Sequence, residues 1–75
     1  QGIIDAWFEE DDGLVLVDYK TDRVKEGGEN ILLDRYQIQL FYYAKALAQI
    51  TGKKVKEAVI YSLALQKEIP VPINL

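Results

Sequence analysis

Residues 2–20 read GIIDAWFEEDDGLVLVDYK, and the folding of this stretch decides the rest. Ile3, Ile4, Ala6, Trp7 and Phe8 make one largely apolar run, and residues 14–20 make a second. Between them lies the acidic stretch Glu9–Asp12, followed by Gly13. Two β-prone runs joined by a Gly-containing turn predict a hairpin. The second run begins apolar on both faces, which predicts a central strand covered on both sides.

The hairpin has geometric consequences. Side chains alternate along a strand, so Asp18 and Lys20 share a face. A two-residue loop makes the numbers of every cross-strand pair sum to an odd value. With the turn at Asp11-Asp12, Asp5 lies opposite Asp18; with the turn at Asp12-Gly13, it lies opposite Lys20. Either register places Asp5, Asp18 and Lys20 on one face, where directly opposed Cβ atoms sit ~4.5–5.5 Å apart. A three-residue loop would send Asp5 to the other face.

Further along, residues 21–32 are polar and contain Gly27-Gly28, which predicts a loop. From about Leu33 to Ile50 the period becomes helical, with Leu33, Tyr36, Leu40, Tyr43, Ala44 and Leu47 recurring on one stripe. Tyr36, Leu40 and Leu47 are assigned to the core. Asn30 or Asp34 is the expected N-cap and Gly52 the expected C-cap. Val55–Leu63 predicts another strand, and the Glu68–Val71 segment, beside Pro70 and Pro72, at best an edge strand. The order β-β-α-β-(β) indicates an α/β domain (or α+β) with something missing at its front.

Composition bounds the chemistry. The 75 residues make at most one small domain. With no cysteine, neither a disulfide framework nor a cysteine-held metal is available. With no histidine either, a metal held by side chains must be held mainly by carboxylates, which favours hard ions such as Mg²⁺ or Mn²⁺. The net charge of −3 lacks the basic surplus of a free-standing nucleic-acid binder. No apolar run approaches the ~20 residues of a membrane span. The first residues read as the middle of a strand, not as a signal peptide, and the lack of cysteine fits a cytoplasmic protein.

Two aspartates and a lysine at the end of apolar strands are costly to desolvate unless paired or coordinating. A divalent cation would relieve the repulsion between the carboxylates, polarise a phosphoryl oxygen and acidify a bound water. The lysine could orient that water or stabilise developing negative charge. The bland alternative is a strand-end ion pair between Asp5 and Lys20. Asp22 and Arg23 are read as a local ion pair, although contact with DNA is open to them. Glu9–Asp12 is read as a solvated turn, and Lys53, Lys54 and Lys56 as a solvated helix exit rather than phosphate contacts.

Three motifs carry a family resemblance. Gly2-Ile3-Ile4-Asp5 resembles the Gly-x-x-Asp motif of the PD-(D/E)xK nuclease superfamily. Asp18-Tyr19-Lys20-Thr21 resembles the Asp-Tyr-Lys-Thr/Ser motif of its RecB branch, and Gln39 to Tyr43 the Gln-x-x-x-Tyr helix motif that follows there. Order and spacing match, and the runs 17–24 and 52–58 look most like the C-terminal nuclease domain of AddA-type helicase–nucleases. The resemblance implies a restriction-endonuclease-like core. It implies metal ligation by Asp5, Asp18 and the backbone carbonyl of Tyr19, with Lys20 as the catalytic lysine. It implies that Gln39 and Tyr43, i,i+4 neighbours on one helix face, lie beside the site and position a strand or the DNA; read from the residues alone, Gln39 is a stripe-edge polar group and Tyr43 a core aromatic.

The implied function is divalent-metal-dependent DNA hydrolysis within a helicase–nuclease acting in double-strand-break repair and recombination. DNA and an AddB-like protein would be its partners, with ATP used only by helicase domains of a longer parent. One departure stands out: the RecB branch carries a metal-site histidine on an earlier helix, and this chain has none. The expectation is therefore that residues 1–75 form the C-terminal part of a nuclease domain whose N-terminal helix and first strand are absent. Such a piece would be inactive alone, and its open edges would favour a homodimer. The alternative from another class is a non-catalytic scaffold that retains the nuclease fold as a docking surface for DNA or a partner.

Overall fold

The computed structural model describes the backbone of residues 4–73 and the side chains of residues 6–73. Strands β1 (Ile4–Glu10) and β2 (Gly13–Lys20) form the hairpin, joined by a two-residue turn at Asp11-Asp12. Its register pairs Asp5 with Asp18 and Glu10 with Gly13, the first of the two registers allowed by a two-residue loop. Helix α1 (Glu29–Thr51) follows, then β3 (Val55–Ser62) and β4 (Lys67–Val71). The four strands form one mixed sheet in the order β1-β2-β3-β4. β2 pairs antiparallel with β1 and parallel with β3, and β3 pairs antiparallel with β4. A parallel pair needs a long crossover, which α1 supplies.

Alternation along β2 builds the core. Leu14, Leu16, Asp18 and Lys20 are all buried, and their partners on β3 are Val55, Ala58, Ile60 and Ser62. The apolar members of this layer pack with Leu32, Leu40, Ala44 and Leu47 of α1 and with Ile69 and Val71 of β4. Burying a side chain of this size contributes roughly 1.5–3 kcal/mol relative to exposure. The opposite face of the sheet is not covered by any described helix. Val15 and Val59 are buried there, Val17, Tyr19 and Tyr61 are half-buried, and Phe8 is exposed. β2 is thus central, as expected, but among the described residues it is covered by a helix on one side only.

The helix begins four residues before its expected start, so the polar loop ends at Gly28 rather than residue 32. Leu32, fully buried, explains the earlier start, because the first turn is drawn onto the core. Neither Asn30 nor Asp34 is the N-cap; Gly28 holds that position without a side-chain cap. Glu29 in the first turn complements the helix dipole and accepts from Lys67 Nζ at 2.8 Å. Gly52 ends the helix in the left-handed conformation, its N–H donating to Ala48 O, the expected C-cap. Tyr43 falls on the exposed flank rather than in the core stripe, whereas Leu40 and Leu47 are buried and Tyr36 packs half-buried against them. β4 is an edge strand, which tolerates the missing N–H of Pro70. No described helix is long and apolar enough to cross a membrane.

The acidic turn is clamped rather than merely solvated. Lys53 pairs with Glu9, and Lys56 pairs with both Glu10 and Asp12. The hydrogen bond from Lys56 holds the Asp12 carboxyl below its usual range, while Asp12 and Glu10 push the Lys56 ammonium up. The two segments meet at Gly13, where Leu14 N–H donates to Lys54 O at 2.7 Å. A Cβ on Gly13 would lie 2.9 Å from that same oxygen, so the approach requires glycine.

Candidate active site

The end of β2 delivers two ionisable side chains into the helix-facing layer. Asp18 and Lys20 are 1% and 2% exposed, and Lys20 Nζ lies 3.1 Å from Asp18 Oδ2. They are neighbours because alternate residues of one strand share a face. Opposite them on β3 stand Ile60 and Ser62. Ser62 is turned to local work: its Oγ accepts from Leu65 N–H in the tight β3–β4 connection. Lys20 Nζ is fully buried, yet no aligned hydrogen-bond acceptor meets it among the described residues. Its contacts are the ion pair with Asp18 and the face of Tyr36, whose ring centroid is 4.0 Å away.

Tyr36 is tied down at its far end. Its hydroxyl donates to Asp22 Oδ2 at 2.7 Å, and Arg35 Nη1 donates to the same oxygen at 2.8 Å. The hydrogen bond from Tyr36, and then that from Arg35, holds the Asp22 carboxyl below its usual range. The same bond pushes the Tyr36 hydroxyl up. Asp22 thus pairs across to the helix and not with its neighbour Arg23. Sequence reasoning missed this role for both Asp22 and Tyr36. The available signals were the place of Asp22 two residues after Lys20 and that of Tyr36 one helical turn before Gln39.

The backbone register sets residue 5 directly across from Asp18; the Asp5 side chain lies outside the described residues. Tyr19, between Asp18 and Lys20, turns its ring to the other face, where it tilts against Tyr61 with centroids 5.8 Å apart. Gln39 is exposed and Tyr43 is 40% exposed, so neither shares the burial of Asp18 and Lys20. Among the described residues no three Asp, Glu, His or Cys side chains gather as a metal site. The donors at this strand end are nonetheless of one kind. A buried carboxylate on β2 faces an aspartate position on β1, and hard oxygen donors of this type suit Mg²⁺ or Mn²⁺.

A sequence model of the PD-(D/E)XK nuclease superfamily matches residues 1–72. The chain belongs to that superfamily. Its mixed sheet with a crossover helix is consistent with an α/β fragment of that fold. Curated relatives are close, and all three named here are AddA-type polypeptides of ATP-dependent helicase/nucleases. The one from Lachnoclostridium phytofermentans is 61% identical over 95% of this chain. That of Clostridium perfringens (strain SM101) is 55% identical over 95%, and that of Thermoanaerobacter sp. is 62% identical over 81%. The chain spans only 5–6% of the length of these relatives.

Proposed function

We propose that residues 1–75 carry the metal-and-lysine site of a DNA-hydrolysing nuclease domain within a helicase–nuclease that processes DNA ends for repair and recombination. The observation that carries this reading is the buried Asp18–Lys20 pair, set in register with residue 5 at the end of a central strand. Replacing buried ion pairs by apolar residues is often neutral or stabilising, so stability alone is a weak reason to keep one here.

In this reading, the carboxylates of Asp5 and Asp18 and the carbonyl of Tyr19 would hold a Mg²⁺ or Mn²⁺ ion. When bound, the ion supplies Lewis-acid polarisation of the phosphate and acidifies a water nucleophile. Lys20 places positive charge where the phosphate oxygens gain negative charge, and the apolar wall of α1 strengthens that interaction by lowering the local dielectric. Asp18 holds the lysine at 3.1 Å and so fixes where that charge acts. Gln39 and Tyr43 serve as positioning residues on the flank of α1. The segment forms the C-terminal part of the nuclease domain, ATP is used by helicase domains elsewhere in the parent, and a second polypeptide of AddB type completes the enzyme.

The test is cleavage of linear duplex DNA by the full native chain that carries this segment. We expect cleavage with Mg²⁺, none with chelator, and loss of cleavage in Asp18→Asn with DNA binding retained. Undiminished cleavage by Asp18→Asn would refute the assignment.

A further inference from the structure

Lys20 poses a physical problem for the proposed site. Its charge has to be buried and held still, yet not cancelled, if it is to act on an anionic oxygen. A lysine chain has four rotatable bonds, and Asp18, on the same strand, fixes only one direction of approach at 3.1 Å. Among the described residues an aromatic face adds to that hold, with the Tyr36 ring 4.0 Å from Lys20 Nζ. An aromatic face attracts a cation through its quadrupole and carries no net charge, and the attraction is strongest where water is excluded. Lys20 is 2% exposed, so the contact lies in that regime.

The ring is itself held. Tyr36 OH donates to Asp22 Oδ2 at 2.7 Å, which leaves the ring richer in electron density and a better partner for a cation. Asp22 sits two residues beyond Lys20, so the strand end and the helix are joined through a closed circuit of Lys20, Tyr36 and Asp22. Arg35, at 2.8 Å from the same carboxylate oxygen, offsets the negative charge of Asp22. A residue serving only to fill the core would need no cation on its ring.

We propose that Tyr36, anchored by Asp22, is a positioning residue for Lys20, fixing the ammonium against an uncharged face so that its positive charge stays available to a phosphate oxygen. This rests on the nuclease reading above. The experiment uses the full native chain with Mg²⁺ and linear duplex DNA, and measures kcat, KM and thermal midpoint separately. The variants are Tyr36→Phe, Tyr36→Leu, and phenylalanines of increasing ring fluorination placed at position 36, which keep the shape while draining the π face. Phenylalanine should retain most of kcat, leucine should lose about tenfold or more, and the fluorinated series should lose kcat stepwise with KM unchanged and the protein still folded at the assay temperature. A kcat indifferent to fluorination, with Lys20→Ala still inactive, would overturn the role of Tyr36 alone. Full activity in Lys20→Ala would overturn the nuclease site itself. If Tyr36→Leu does not fold, the fluorinated series still decides.

Discussion

Replacing Asp18 by alanine strands the Lys20 ammonium in a layer where it is 2% exposed. Breaking a buried ion pair from one side costs about 3–5 kcal/mol. The Tyr36 face relieves a little of this, since such a contact contributes about 1–2 kcal/mol when desolvated. We therefore expect Asp18→Ala to cost about 3 kcal/mol. Lys20→Met, which strands the carboxylate, should cost a similar amount. The double variant leaves no buried charge from this pair, so its cost should fall well below the sum, with a coupling of about 2 kcal/mol or more. A folded domain is stable by only about 5–15 kcal/mol, so the single variants should shift its urea transition strongly. The assay is urea unfolding at pH 7 followed by far-ultraviolet circular dichroism on all four proteins. Additive effects, or single variants that cost under about 1 kcal/mol, would refute the view that these charges are buried against each other.

Other outcomes follow from the same set of contacts. Asp22 is held below the ordinary carboxylate range by Tyr36 and Arg35. A depressed carboxyl stabilises above its unfolded pKa, so that stability, about 1–2 kcal/mol, should be lost as pH falls below about 4. The Tyr36 hydroxyl is raised by the same bond; its contribution should be complete below about pH 10 and lost as pH rises further. Thermal midpoints of Asp22→Asn and the parent across pH should show the acid slope flattened in the variant. Gly13→Ala should cost more than Gly52→Ala, because the first drives a Cβ to 2.9 Å from Lys54 O while the second meets no atom within 4 Å. The Gly52 variant should show only the left-handed backbone cost of about 1–2 kcal/mol, checked by the same denaturation. Leu40→Ala, at a fully buried position, should cost about 2–5 kcal/mol, and Ile50→Ala, 83% exposed, within about 0.5 kcal/mol.

The hairpin was legible from period-two alternation and a short acidic turn, and its register only down to the two pairings that a two-residue loop allows. The crossover helix was legible from Leu40, Ala44 and Leu47. Its start was not, because the polar stretch before Leu33 hides one strongly buried residue, Leu32, that tertiary packing recruits. The Asp18–Lys20 neighbourhood could be read from spacing alone. The Tyr36–Asp22–Arg35 circuit could not, since it joins residues 13 and 14 apart through a helix whose rotation depends on core packing. The clamps from Lys53 and Lys56 onto Glu9, Glu10 and Asp12 escaped for the same reason, because their partners are 44 to 46 positions apart. The pattern placed Asp5 opposite either Asp18 or Lys20, and the backbone takes the first.

The central claim is that Lys20 supplies charge to a phosphodiester at this strand end. It is tested most directly by single-turnover cleavage of linear duplex DNA by the full native chain at saturating Mg²⁺, comparing the parent with Lys20→Ala while DNA binding is followed in parallel. Cleavage should fall at least about a hundredfold with DNA affinity unchanged. Cleavage by Lys20→Ala at the parent rate would contradict the claim.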